Sequence, residues 1–472
     1  MSMEGTSMKK TALYLTIIFF FGICAAAFAG GAPSPREQRL EEMVQQLIKE
    51  NRKLSKRLET VEQELSRIKQ EEVAKVQPVT SEEKAGEEEH WYDRFSLGGG
   101  VTGILMGTLG DADSLENIRS TQDASYTLDL NLDADFAKWG KFFIHFEGGD
   151  GDGLNNDVPS FSVPNYDAYK TATALDEAAL TISEAFYGFS FMEDRYGFDI
   201  GKMDISVLFD ENDVAGDETS QFISNIFVKS MGMNIPEPDN FYCPAFQLRA
   251  RPVDLLEFKV VGASVRAHGE DTVWHNVFDD GMIAGQMNVM PGLFGRNGNY
   301  RFYGWVDKRG YLKNKDLSKV PGMDHDKAGK LADNSLTGWG LSFDQELVQG
   351  LKGFARYSQT LTDDRAVWNS DDDAWEMIPF DRTWSAGFEL DGGLWNRGGD
   401  VFGFAYGQTL LTDDYEDEND HTANENYVEA YYRFMMNQYF ALSADFQWVG
   451  NAGGSSKRDD IYIWGVRSQL DF

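Results

Sequence analysis

The sequence predicts an all-β fold: a 16-stranded antiparallel transmembrane β-barrel, preceded by a short N-terminal α-helical coiled coil. Three observations predict it. Residues 91–472 hold repeated segments whose apolar and polar side chains alternate with period two, as strands do when one face meets an apolar medium and the other water. The links between those segments alternate between short and long, the pattern of membrane barrels with tight turns at one end and loops at the other. The chain also ends on IYIWGVRSQLDF, with Tyr462, Trp464, Val466, Leu470 and Phe472 on one face, broken only by Ser468. Arg467, Gln469 and Asp471 occupy the opposite face.

From the N-terminus, the first element is an export signal over residues 1–29. Met8-Lys9-Lys10 is the positive start, Ala12 to Ala27 the apolar run, and Ala27-Phe28-Ala29 the small-x-small cleavage site. That run is too short and wrongly flanked for a membrane helix. Cleavage after Ala29 removes Cys24 and leaves Cys243 alone, so no internal disulfide is expected in an oxidising destination.

Residues 36–73 form the coiled coil. Leu40, Val44, Leu47, Asn51, Leu54, Leu58, Val61, Leu65 and Ile68 alternate spacings of four and three, an unbroken heptad seam. Arg57–Glu62 and Glu64–Lys69 supply opposite charges across a parallel pair, and the seam is roughly 40 Å long at the helical rise. Self-association is expected, with a trimer among the states compatible with mixed seam residues. Residues 74–90 are an acidic linker containing QPVTSEEKAGEEE.

The barrel, residues 91–472, follows. Its strands are expected to begin near Phe95, Tyr126, Lys141, Leu180, Tyr196, Phe241, Leu255 and Gly281. The rest begin near Tyr300, Leu336, Leu351, Thr383, Val401, Tyr427, Tyr439 and Ile461. In the second, Tyr126, Leu128, Leu130 and Leu132 oppose Thr127, Asp129, Asn131 and Asp133. Short links such as Met436-Asn437 alternate with long polar ones at Asp307 to Asn334, Leu361 to Arg382 and Thr412 to Glu425. An even strand number puts both ends of the barrel, and with them the stalk, in the periplasm. Abundant glycine and aromatic residues (47 Gly, 33 Phe, 19 Tyr, 11 Trp) with only 12 prolines suit such a wall. A net charge of −34 argues against nucleic acid as a partner, since phosphates demand a basic surface.

After the fifth strand come Gly201-Lys202-Met203-Asp204, Phe209-Asp210, Asn212, Ala215 to Phe222, and Asn225. Near the C-terminus stand Tyr427 to Phe434, Phe446-Gln447-Trp448, Asn451 to Gly454, and Gly465 to Phe472. This text resembles the carbohydrate-selective porins of the OprB type over about Trp91 to Phe472. The resemblance implies a bacterial outer-membrane porin passing sugars by diffusion, whose third long loop, Val207 to Asn240, folds into the lumen. Phe209, Phe222, Ile223, Ile226 and Phe227 would be costly to leave in water, which favours the inward fold. The coiled coil lies outside the resemblance and stands against the monomeric state usual for the family.

A sugar offers hydroxyls and apolar ring faces, so its path wants charged and amide groups with aromatics beside them, bound weakly enough for release. Asp199, Gln247 and Arg249 have lumen parity near the loop; Glu184 does too, though it shares parity with Ile182. Lys202 and Asp204 enter through the motif, and Phe209, Asp210, Asn212, Asp217, Glu218 and Phe222 through the loop. Arg301, Glu389, Glu429, Arg433 and Arg467 are further lumen-facing charges, joined by Arg356, which shares its face with Phe354. The competing expectation for each is a paired charge serving solvation and rigidity alone.

Asp150, Asp152, Asn155 and Asp157 offer closely spaced oxygens to a calcium ion but lack the distal glutamate of a full loop site, so a flexible outer loop is expected. No cofactor is expected, beyond divalent cations bridging acidic loops such as Asp371–Asp373 and Asp413–Asp420 to lipopolysaccharide. The histidines show no ligand spacing and no nucleophile elbow occurs, so no enzyme is expected. The expected partners are outer-membrane lipid, sugar solutes, the barrel-assembly machinery through Phe472, and further copies of the chain. A cation-preferring ion pore and a barrel-anchored, wall-tethering protein are the alternatives.

Overall fold

The structure, a computed structural model, describes residues 91–109, 121–174, 180–233, 242–264, 281–293, 295–319, 334–361, 365–369 and 374–472. The expected signal peptide, coiled coil and linker lie outside the described residues. In chain order the strands begin with β1 (Phe95–Leu109), β2 (Gln122–Asp135), β3 (Lys141–Asp150), β4 (Thr181–Phe191), β5 (Tyr196–Asp204) and β6 (Tyr242–Val253). Next are β7 (Leu256–Ala263), β8 (Met282–Val289), β9 (Gly298–Lys313), β10 (Asn334–Val348), β11 (Leu351–Thr360) and β12 (Arg365–Asn369). The last are β13 (Ala374–Met377), β14 (Phe380–Asp391), β15 (Val401–Leu411), β16 (Asn426–Met435), β17 (Phe440–Gly450) and β18 (Ile461–Asp471).

All but β12 and β13 are staves of one closed antiparallel barrel of 16 strands. β1 closes it, pairing with β2 on one side and with β18 on the other, in register from Gly100↔Asp471 to Leu109↔Tyr462. The edge is thereby abolished, which is what lets strands cross a lipid phase with every ladder bond made. At the seam Gly99 N–H donates to Phe472 O and Phe472 N–H to Gly99 O, both at 3.0 Å.

Every stave starts within four residues of its expected position. The alternation holds as well: in β18 Tyr462, Val466 and Leu470 are exposed outward, while Ile463, Arg467 and Gln469 are buried inward. Two links differ from expectation. β9 runs on to Lys313, past the Asp307 where a loop was expected. The expected Leu361–Arg382 loop contains the β12–β13 hairpin, whose Arg365 and Ala366 pair with Lys313 and Leu312 of β9. Leu312 and Ala366 are fully buried there with Leu317 and Trp375 packed against them, so an apolar knot outside the barrel wall drives that extension.

Candidate solute pathway

The interior is not empty. From the end of β5, residues 205–233 turn inward and contact the inward faces of strands around most of the barrel. Asp204 starts the turn: its carboxylate accepts from Ser206 N–H (2.8 Å) and pairs with Lys170 (2.9 Å). Ile205, Leu208 and Phe209 then sink into a cluster with Ala245, Val261, Ala284 and Trp305 on β6 to β9. Asp210 takes a left-handed backbone (φ 60°), an uncommon state for a side chain with a Cβ. It is held from several sides: its N–H donates to Gln286 (2.9 Å), Ser230 N–H donates to its carboxylate (2.8 Å), and Arg356 pairs with it (3.4 Å).

The next residues meet a row of cations. Glu211 pairs with Lys259 of β7, and Asp213 with Arg301 of β9 at 3.4 Å. Arg301 is also paired with Asp344 on β10. Arg356 donates to the carbonyls of Ala215, Phe227 and Asp210, filling its fork with loop backbone. Further on, Phe222 packs on Phe354 of β11 (5.6 Å) and edge-on to Tyr431 of β16 (5.0 Å). Tyr431 lies across Gly403, where a Cβ would stand 2.1 Å from its ring, so only glycine admits it. Glu429 of β16 accepts from Ile223 N–H (2.6 Å) and Ser224 N–H (2.9 Å). Arg467 of β18 donates to Glu218 O at 2.7 Å.

A second segment, residues 151–174 between β3 and β4, also folds inward. Asn155 and Asn165 bond reciprocally, Asn165 donates to Ser125 of β2 (2.9 Å), and Gln447 of β17 donates to Pro164 O (3.0 Å). Its helix α1 (Tyr166–Ala174) carries Asp167, which accepts from Thr127 (3.0 Å), and Lys170. The flexible outer loop expected here is therefore corrected: Leu154 and Val158 are buried in an apolar cluster with Phe222, Ile226 and Ile463. The four calcium candidates do not converge. Asp152 accepts from Asn156, Asn155 serves Asn165, and Asp157 accepts from Thr121 (3.3 Å). No cluster of metal-ligating side chains occurs among the described residues.

Beside the two segments lies a polar cavity of about 350 Å³ against β1 to β4 and β18. Asp129, Asn131, His145, Glu147, Glu184 and Asp471 form its wall, and Lys170 and Glu218 cover it. Glu147 accepts from Tyr242 (2.5 Å) and His145 bonds Asp129 (2.9 Å). On the covering segment, burial by itself would lower the Lys170 ammonium, but Asp204 and Glu218 hold it well above its usual range. Burial, reinforced by Glu218, raises the Asp167 carboxyl well above its ordinary value.

The expected site residues divide accordingly. Glu184 and Glu218 line the cavity, and Asp199 and Arg249 are half-buried on the inward faces of β5 and β6. The parity conflict at Glu184 is resolved by a bulge: His145 pairs Glu184 and Phe146 pairs Ile182, leaving Ser183 extra. Ile182 is thus 46% exposed on the outer face, while Ser183, at 1%, turns inward to His145. Lys202 is a correction. It pairs with exposed Ala185, shares the outward face of Phe198 and Ile200, and donates to Ile182 O (2.9 Å), so it is not on the path.

Phe209, Phe222, Asp210, Asn212 and Asp204 are corrections of another kind. All are buried in loop-to-wall contacts, so they anchor the segment rather than meet a solute. Gln247 likewise donates to Leu208 O (3.1 Å). Asp217 is exposed and caps its own turn, accepting from Thr219 N–H at 2.9 Å. Arg301, Arg356, Glu389, Glu429 and Arg467 face inward and are buried in partnerships, Glu389 with Tyr431; Arg433 is half-buried. Phe354 shares the Arg356 face because the loop covers both. Of the cavity residues, Asp129 and Asn131 already stood on the polar side of the second strand's alternation, and His145 and Glu147 alternate in the same way with Phe142, Ile144 and Phe146. Asp167 and Lys170 carried no such signal.

No curated protein matches the chain. Among solved structures, the high-pH structure of Pseudomonas putida OprB is similar with a TM-score of 0.64 at 15% identity, over 80% of this chain and 94% of that one. Salmonella typhi OmpF, solved with daunomycin, is similar with a TM-score of 0.50 at 14% identity, over 80% of this chain and 97% of that one. At such identities both likenesses speak for the fold. The family described as "Carbohydrate-selective porin, OprB family" matches residues 119–472. With three-quarters of its sequence matched and a closed 16-stranded barrel around two inward segments, the chain belongs to the OprB family of outer-membrane porins.

Proposed function

We propose that the barrel gives carbohydrates and other small hydrophilic solutes passive, diffusive entry through a lumen narrowed by residues 205–233. The observation that carries this reading is the passage of that segment across the interior, bonded to β7, β9, β10 and β11 on one side and to β16 and β18 on the other. The polar cavity it borders can exchange hydrogen bonds with hydroxyls, and the inward position of Glu184, Glu218, Asp199 and Arg249 suits them to that exchange. A solute then trades water for wall groups at nearly equal cost and leaves again. The test is liposome swelling with sugars of increasing size beside conductance in planar bilayers. Protein that forms no channel defeats the proposal.

A second reading, cation preference, draws on one observation. The cavity carries Asp129, Glu147, Glu184, Glu218 and Asp471 against Lys170 and His145, while Lys259, Arg301 and Arg356 are engaged by the loop. Carboxylates focused in a narrow aqueous site concentrate cations. Reversal potentials in a salt gradient test it, and anion selectivity overturns it. We further propose that the 36–73 stalk lies in the periplasm after signal cleavage and associates copies of the chain, a trimer being one such state. Lipopolysaccharide meets the acidic outer loops through divalent cations, and the assembly machinery reads Phe472. Cross-linking of full-length and stalk-deleted protein checks the association, which an unchanged monomer overturns.

A further inference from the structure

Both inward segments come to rest on the same strand. Glu425, immediately before β16, accepts from Phe161 N–H at 3.1 Å and Gly453 N–H at 2.5 Å, and bonds the Ser160 and Tyr427 hydroxyls. Tyr427 accepts from Ser162 N–H at 3.0 Å. Glu429, one step further along the same inward face, accepts from Ile223 and Ser224 with its two oxygens. One row of side chains therefore seats residues 160–162 of the first segment and 223–224 of the second.

At that seat the two segments also bond each other. Tyr166 N–H donates to Ile223 O (3.0 Å) and Asn225 N–H to Val163 O (3.2 Å). The Ser162 and Ser224 hydroxyls meet at 3.1 Å, and Ile226 N–H donates to Ser162 (3.0 Å). Both carboxylates are fully buried. A buried carboxyl is tolerated only where donors converge on it, and here every backbone donor but Gly453 N–H comes from an inward segment.

We propose that Glu425 and Glu429 are positioning residues that clamp the 151–174 and 205–233 segments into a single plug, and that this clamp sets the largest solute the channel admits. The proposal rests on the diffusive-pore reading above. It adds that the bore is determined by two segments acting together and by carboxylates no solute touches.

The experiment uses full-length protein in planar bilayers and in liposomes challenged with mono-, di- and trisaccharides. Glu425→Ala with Glu429→Ala is expected to raise single-channel conductance and admit a sugar that the parent excludes. Heat-dependent gel migration shows that the barrel has assembled. Glu429→Gln keeps one acceptor oxygen and is expected to fall between parent and double variant. In the double variant, a Ser162→Cys/Ser224→Cys pair is expected to restore the parent size cut-off when oxidised and lose it on reduction, which a purely stabilising role would not produce.

A double variant with the parent's conductance and cut-off overturns the clamp, as does a cysteine pair that does not cross-link in the parent background. Should the double variant not assemble, Glu429→Gln decides: a raised cut-off supports the clamp and a parental one overturns it. A parent that conducts nothing sinks the pore reading instead, so the two failures are distinguishable.

Discussion

Two sectors of the wall obey the same sequence rule and end in opposite states. Along β7 to β11, inward-facing Lys259, Arg301 and Arg356 are matched by Glu211, Asp213 and Asp210 from residues 205–233, and the apolar inward groups Val261, Ala284 and Trp305 pack with that segment into a core. Along β1 to β4 and β18, inward-facing Asp129, Asn131, His145, Glu147 and Asp471 border an open cavity. Parity alone says which face a side chain takes. Whether that face meets water or protein depends on where the inward segments settle. In the first sector charge docks the loop, and in the second it borders open space.

Substitutions can break or sharpen that contrast. Arg356→Ala strikes the covered sector hardest, because it leaves buried Asp210 unpaired and removes the donors to Ala215 O and Phe227 O. A loss of about 3–5 kcal/mol is expected, read as an earlier heat-dependent mobility shift. Arg356→Lys should not restore it, since an ammonium lacks the planar fork.

Lys229→Met should act in the opposite direction. Burial in the covering segment lowers its ammonium from 10.5 to about 8. Below about pH 8 both folded and unfolded chains hold that proton, and the folded chain bears the full cost of burying it. As pH rises from about 8 to 10.5 the unfolded chain binds more protons than the folded one, so parent stability climbs. The methionine variant should be more stable at pH 7 by up to about 3 kcal/mol, its advantage fading across that window. Melting at pH 7 and pH 10.5 checks it; an advantage that persists at the higher pH counts against it.

Phe222→Leu trims the apolar contact with Phe354 and Tyr431 and should cost roughly 1–2 kcal/mol, with noisier open-channel current. Asp129→Asn with Glu147→Gln tests the sector that borders the cavity. Stability should move by less than about 1 kcal/mol, because their partners retain polar groups to bond. The reversal potential, by contrast, should shift away from cation preference. Equal effects on stability in the two sectors would erase the contrast. Asp254→Ala, which loses an exposed pair with Arg195 at a short turn, should change stability by about 0–1 kcal/mol and leave conductance unaltered.

How much was legible is clear from particular residues. Glu184 shares parity with Ile182, and one extra residue at Ser183 separates them; no period-two reading detects a bulge. Lys202 sits in the most distinctive motif yet faces outward, because motif position says nothing about strand phase. The β12–β13 hairpin leaves no clear periodicity because its strands are short and flanked by acidic loop text. The inward fold of residues 151–174 was masked by an Asp-Gly-Asn run that reads as a solvated turn.

The sequence by itself determined the class, the staves and their facing, since alternation and turn placement are local and a closed barrel leaves few ways to satisfy the backbone. The tertiary structure alone decided which inward groups stay wet. That choice depends on contacts between residues such as Glu429 and Ile223, more than two hundred positions apart, which no local pattern encodes.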